Sequence, residues 1–147
     1  MKSFVGFYNA VEYYFEEAPR VLQRSAPTEM RQLRCVVDLL TIGDDVTRFL
    51  NDLEPALRQS VLTDLRTSSG VPIRAFDTLA DPQQELARWL YEIRCAVVHS
   101  KKTRKGCPTP TFEPYSATSK VLRHVVPVIR WLAVLCIEKD YALRTAT

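Results

Sequence analysis

The amino-acid sequence predicts an all-α bundle of about five helices. Three observations lead there. Apolar residues recur at spacings of three and four along nearly the whole chain, as in Phe4, Phe7, Tyr8, Val11, Tyr14 and Phe15, which is the period of one helix face. Only four glycines occur in 147 residues, too few for the many tight turns of a loop-rich β fold. The 46% hydrophobic and 25% charged residues are close to globular averages and suit one core in one domain, residues 1–147.

The elements follow in order. From Ser3 to Gln23 the apolar spacing continues through Val21 and Leu22, and Pro19 is expected to kink or end this first helix near Ala18. Thr28 before Glu29 and Arg31 opens a second helix with Leu33, Val36, Val37 and Leu40 inward. Asp44 or Asp45 can cap a short third helix carrying Val46, Phe49 and Leu50. Pro55 suits the first turn of a fourth, with Leu57, Val61, Leu62 and Leu65 inward and a stop expected at Ser68-Ser69-Gly70. Residues 70–82 read as a connector, and Asp81 as the N-cap of a strong helix from Pro82 to about His99. Residues 101–119 hold Gly106, Pro108, Pro110 and Pro114 and read as a basic loop. The last helix is expected from about Ala117 to Asp140 or beyond, with a kink at Pro127. The first, the Pro82–His99 and the last helices are expected to form the centre.

Charge divides unevenly along the chain. Residues 1–81 hold nine Lys and Arg against twelve Asp and Glu, and residues 82–147 hold eleven against five. A net of −3 followed by +6 suggests that the second part meets a polyanion. No apolar run reaches the roughly 18 residues of a membrane span, and Glu12, Glu16 and Glu17 stand where a signal peptide would be apolar. A cytoplasmic protein with no membrane partner is the expectation. The four cysteines, Cys35, Cys95, Cys107 and Cys136, form no CxxC pair, so a disulfide framework is not expected. Cys95, His99, Cys107 and His124 lack the closely spaced ligand pair of a zinc site; no metal and no cofactor is assigned.

The informative segment is Glu85 to Ser100. At about 100° per residue, Glu85, Arg88 and Glu92 form a solvated, salt-bridged ridge, and Leu86, Leu90, Ile93 and Val97 a core stripe. Arg94 falls beside that stripe with no carboxylate three or four residues away. An unpaired guanidinium there is costly, so a partner from another helix, another subunit or a phosphate is expected. His99 lies at the helix end, about 140° round from Arg94.

Arg94-Cys-Ala-Val-Val-His99, preceded by Leu90-Tyr91 and followed by Ser100-Lys101, resembles the Arg-(four to six residues)-His signature of HEPN domains. Tyr8-Asn-Ala-Val-Glu-Tyr-Tyr-Phe15 resembles the first helix of the Apea-like HEPN group. The resemblance implies a dimeric helical bundle. It also implies a metal-independent endoribonuclease, often a toxin or antiphage effector, whose paired motifs meet at the interface of a homodimer. His99 would then be the acid–base residue and Arg94 the phosphate clamp. Such roles suit an imidazole titrating near neutrality and a permanently charged, bidentate guanidinium. The residue after the arginine, commonly polar in active members, is here Cys95. Glu12, Cys95 and Ser100 are candidates for active-site support, and Lys101, Lys102, Arg104 and Lys105 for steering RNA phosphates.

Each residue also has a plainer role. Arg94 can be a structural arginine paired with Glu12 across helices, His99 a helix C-terminal residue satisfying late carbonyls, and the lysine run a solvated loop. A non-catalytic HEPN module for dimerisation, or for binding a nucleotide, RNA or a regulatory partner, is the alternative function. A separate antitoxin or sensor subunit is compatible with either. Tyr91, Arg94 and Val98 share a strip opposite the core stripe, which a two-fold partner would cover.

Overall fold

The computed structural model describes residues 2–98, 103–104, 106–113 and 118–145, and it is all-α in character. Seven α-helices occur among the described residues: α1 (Lys2–Glu12), α2 (Glu17–Leu22), α3 (Glu29–Leu40), α4 (Asp45–Asp52), α5 (Pro55–Val61), α6 (Pro82–Val98) and α7 (Val126–Thr145). A 3₁₀ segment, Thr118–His124, precedes α7, and β1 (Thr103–Arg104) pairs antiparallel with β2 (Cys107–Pro108).

The apolar stripes assemble as α1 on α7 and α3 on α6, with α2 packed on α3. Phe4, Tyr8 and Val11 of α1, Leu33 and Val36 of α3, Trp89 and Ile93 of α6, and Ile129 and Leu132 of α7 meet in one core. The centre therefore includes α3 alongside the three helices expected there. On α6 the buried stripe is Leu86, Trp89, Leu90, Ile93 and Ala96, while Val97 is only half-buried.

Both prolines act differently from expectation, for one reason. The first break falls at Tyr13–Glu16, where the Tyr14 and Phe15 amides each donate to a carbonyl three residues back, at 3.0 Å. Pro19 instead lies in the first turn of α2, where a missing N–H costs nothing. Likewise Pro127 is the second residue of α7. The chain passes from 3₁₀ to α at Val125, so Pro127 starts a helix instead of kinking one. The last turn of α2 closes on Gln23 at φ 55°, and the Arg24 amide donates to Pro19 O at 3.0 Å, a Schellman-type ending.

Three start signals hold. The Thr28 hydroxyl accepts from the Arg31 amide at 3.2 Å, Asp81 Oδ1 accepts from the Gln83 amide at 3.2 Å, and Pro55 opens α5. For α4, Asp44 holds the N-cap position without a side-chain cap bond. Asp45 Oδ2 accepts the Ile42 amide at 2.9 Å. Thr28→Ala removes the α3 cap and is expected to cost about 1 kcal/mol, read as a shift in the urea midpoint with an unchanged slope.

α5 stops well before Ser68. Thr63 back-bonds to Gln59 O at 2.7 Å and Asp64 takes the Ala75 amide at 2.8 Å, so these side chains compete with further helix. Leu65 then bridges Ile73 as a short antiparallel pair, closed through Gly70 at φ 84°. The basic loop is partly tied to this turn. Ser68 N donates to Thr111 O at 2.7 Å and Phe112 N to Ala96 O at 2.9 Å, placing Phe112 in the core.

The Glu85–Arg88–Glu92 ridge is salt-bridged, and its Glu85 and Arg88 members are shielded from solvent while Glu92 stays partly exposed. Arg88 Nη1 lies 2.8 Å from Glu92, and Glu85 is only 5% exposed. Residues 74–77 cover it: Asp77 N donates to Glu85 at 3.1 Å, and Arg88 donates to Arg74 O and Ala75 O. Among the described residues no helix is long and apolar enough to cross a membrane.

Candidate functional site around Arg94

The outward side of α6 places Arg94 four residues before the helix end. Its cross-helix partners come from α1 and α3. Nη2 donates to Glu12 Oε1 at 3.4 Å, and Nε lies 3.3 Å from Glu29 Oε1. The guanidinium carbon sits 5.8 Å from the centre of the Tyr8 ring, within cation–π range. Tyr8 in turn donates its hydroxyl to Glu29 at 3.4 Å. Burial, reinforced by Glu29, pushes the Tyr8 phenol well above its ordinary range, so it stays a neutral donor.

Arg94 remains 24% exposed at the wall of an open cleft of about 360 Å³. Glu12, Glu16, Glu29 and Gln32 share that wall. Three carboxylates against one guanidinium make the cleft acidic. Arg94 is thus held in a fixed place but not sealed. Both ion pairs are long and partly exposed, so each is worth about 1 kcal/mol or less.

Of the residues singled out in the sequence, Arg94 and Glu12 meet across 82 residues of chain. Cys95 does not join them; it is half-buried, one turn along α6 from Tyr91. Burial pushes the Cys95 thiol up, which keeps it protonated and a weak donor. His99, Ser100, Lys101, Lys102 and Lys105 lie outside the described residues, and Arg104 is described by its backbone alone. In the Tyr13–Phe15 cluster, Phe15 is buried, while Tyr13 is 75% exposed and meets Tyr14 edge-on. Glu29 and the ring of Tyr8 were missing from the sequence-derived site. Glu29 reads locally as the acidic first residue of α3, and nothing in helical spacing signals that it faces α6.

Among the described residues no three His, Cys, Asp or Glu side chains converge as a metal site. All four cysteines are free, with Cys35 and Cys136 buried and Cys107 exposed. Comparison with protein-family models, curated proteins and solved structures finds no match.

Proposed function

We propose that the chain is a HEPN-type, metal-independent endoribonuclease, a toxin or antiphage-defence effector working as a homodimer with a composite active site. The observation that carries this reading is the setting of Arg94. It projects from the end of α6 that leads to His99, partly open to solvent and pre-oriented by Glu12, Glu29 and the Tyr8 ring. A guanidinium oriented in advance loses little freedom on taking a phosphate.

In this mechanism the RNA 2′-hydroxyl loses its proton and attacks phosphorus. The bond to the 5′-oxygen breaks, and that oxygen takes up a proton. His99 moves the protons, and Arg94 stabilises the charge building on the phosphoryl oxygens. The products are a 2′,3′-cyclic phosphate and a 5′-hydroxyl. Lys101, Lys102, Arg104 and Lys105 draw the strand towards the motif. Digestion of RNA in excess EDTA tests the reading directly.

The dimer is supported by an uncovered strip on α6. Val98 is 49% exposed and Tyr91 is half-buried beside Arg94. Light scattering at micromolar concentration should give twice the 16.8 kDa chain mass, and a monomer there removes the composite site. A second reading, a non-catalytic HEPN module binding a nucleotide, RNA or a regulatory partner, is favoured by one observation. Arg94 already has two carboxylates, so it has a structural role without any substrate. Under that reading wild-type protein cleaves no RNA.

A further inference from the structure

The outer side of α7 carries an exposed apolar strip. The inner side of this helix, Ile129, Leu132, Ala133 and Cys136, is buried in the core. At about 100° per residue, Arg130, Val134, Ile137 and Tyr141 fall together in one narrow stripe, roughly 120° round from that inner side. Val134 is 39%, Ile137 62% and Tyr141 70% exposed, and Arg130 is exposed with them. Their steps of four, three and four residues are those of a coiled-coil seam. On one flank Trp131, half-buried and stacked on Phe49 with ring centres 4.2 Å apart, widens the apolar surface. Single exposed apolar residues such as Val21, Ile42 and Leu79 are ordinary, but a row of them on one helix face marks an interaction surface.

Two further observations indicate what covers the strip. After Cys136 the helix runs on with Ile137, Glu138, Lys139, Tyr141 and Ala142 all exposed, so its last turns have little packing of their own. Isolated helical turns are marginal, and packing of an apolar face is what stabilises them. The strip is also complementary to itself when reversed. Arg130 has no carboxylate within ion-pair distance among the described residues. A two-fold axis between Val134 and Ile137 sets each of these against the other's copy and brings Arg130 level with the partner's Tyr141 ring, a cation–π arrangement. Glu138 and Asp140 flank that ring, while Lys139 points to the opposite side of the helix. Counting Arg144, three residues beyond Tyr141, the carboxylates still lead by two to one. The negative end of the α7 dipole adds to them. A parallel pairing would set Arg130 against its own copy.

We infer that α7 is a self-association face, on which a second copy of this chain docks its own α7 antiparallel. This face is separate from the α6 strip of Tyr91, Arg94 and Val98, since α7 packs on α1 and α6 on α3. It does not rest on the nuclease reading. A seam roughly 16 Å long is smaller than a standard stable interface, so association falls at roughly tens to hundreds of micromolar, above the range in which the α6 dimer forms.

Sedimentation equilibrium of the full chain from micromolar to millimolar concentration tests the inference. The mass should double over that range, from two chains to four where the α6 dimer exists and from one to two where it does not. Ile137→Glu places a carboxylate in the centre of the seam and should weaken the doubling about tenfold or more. Leu79→Glu, the same kind of change at a position 95% exposed on another element, should leave it as in wild type. Ile137 is exposed, so the melting curve of Ile137→Glu at micromolar concentration should match wild type. Orientation is read by mixing Val134→Cys chains with Ile137→Cys chains, both carrying Cys107→Ser because Cys107 is exposed. Mass spectrometry should then find the 134–137 disulfide between chains in excess over the two symmetric ones. A mass that stays constant to millimolar concentration overturns the inference, as does a doubling that survives Ile137→Glu. Symmetric disulfides in excess overturn the antiparallel pairing.

Discussion

If the chain is the nuclease proposed, His99→Ala and Arg94→Ala are each expected to bring RNA cleavage in excess EDTA close to background. Removing a residue that transfers protons in the transition state lowers rate by about 10²–10⁴-fold. Removing a positioned cation from a phosphoryl group costs about 10²–10³-fold. The two changes differ in their effect on the fold. Arg94→Ala leaves Glu12 and Glu29 facing the same space without their shared cation, a loss of about 1 kcal/mol for partly exposed pairs. Arg94→Lys keeps the charge but not the planar fork, so it recovers most of the stability and little of the activity. A melting curve taken with each assay therefore separates a structural arginine from a catalytic one. Products should carry 2′,3′-cyclic phosphate, and DNA, which has no 2′-hydroxyl, should be spared. Cleavage that stops with EDTA, or that His99→Ala leaves intact, refutes this mechanism. An inert wild type supports the binding-module reading.

The largest effect on stability is expected at Trp89. It is the largest of the fully buried side chains, sitting on α6 at 0% exposure. Trp89→Ala should cost about 3–5 kcal/mol, through lost transfer energy and the cavity left behind. For a chain of this length that lowers the melting temperature by on the order of 10 °C. Trp89→Phe behaves differently. Among the described residues the indole Nε1 is buried with no hydrogen-bond partner, and a buried orphan donor costs about 1–3 kcal/mol. Phenylalanine removes that donor while keeping most of the ring, so the net change should stay within about 1.5 kcal/mol. Urea unfolding of the two variants gives the comparison. If alanine is tolerated within 1 kcal/mol, Trp89 does not anchor the core; if phenylalanine costs as much as alanine, the N–H has a partner.

Short-range chemistry made much of the fold readable. A hydroxyl three residues before an amide needing a partner marks the start of α3 at Thr28, and the α6 start at Asp81 is marked in the same way. Helical spacing located α6 to within a residue of its described end at Val98, and it placed Leu86, Leu90 and Ile93 inside. The need of Arg94 for a partner beyond its own helix was also readable, because every residue within one turn of it can be checked for charge.

What the sequence determined by itself was the all-α class, most of the residues on the buried stripes (Leu62 and Val21 are exposed), and an arginine on α6, Arg94, with no partner on its own helix. Those are properties of residues within one or two turns of each other. Tertiary structure alone decided the rest. It set the registers in which Pro19 and Pro127 begin helices, since a proline breaks or opens a helix according to where the neighbouring turns start. Residues 74–77 were laid over Glu85 and Arg88, turning a ridge that reads as solvated into a buried ion pair. It drew Phe112 from a polar, proline-rich loop into the core. Glu12 and Glu29 reached Arg94 from two other helices. Each of these depends on contacts between residues far apart in the chain, and helical periodicity records which face turns inward, not which distant side chain will meet it.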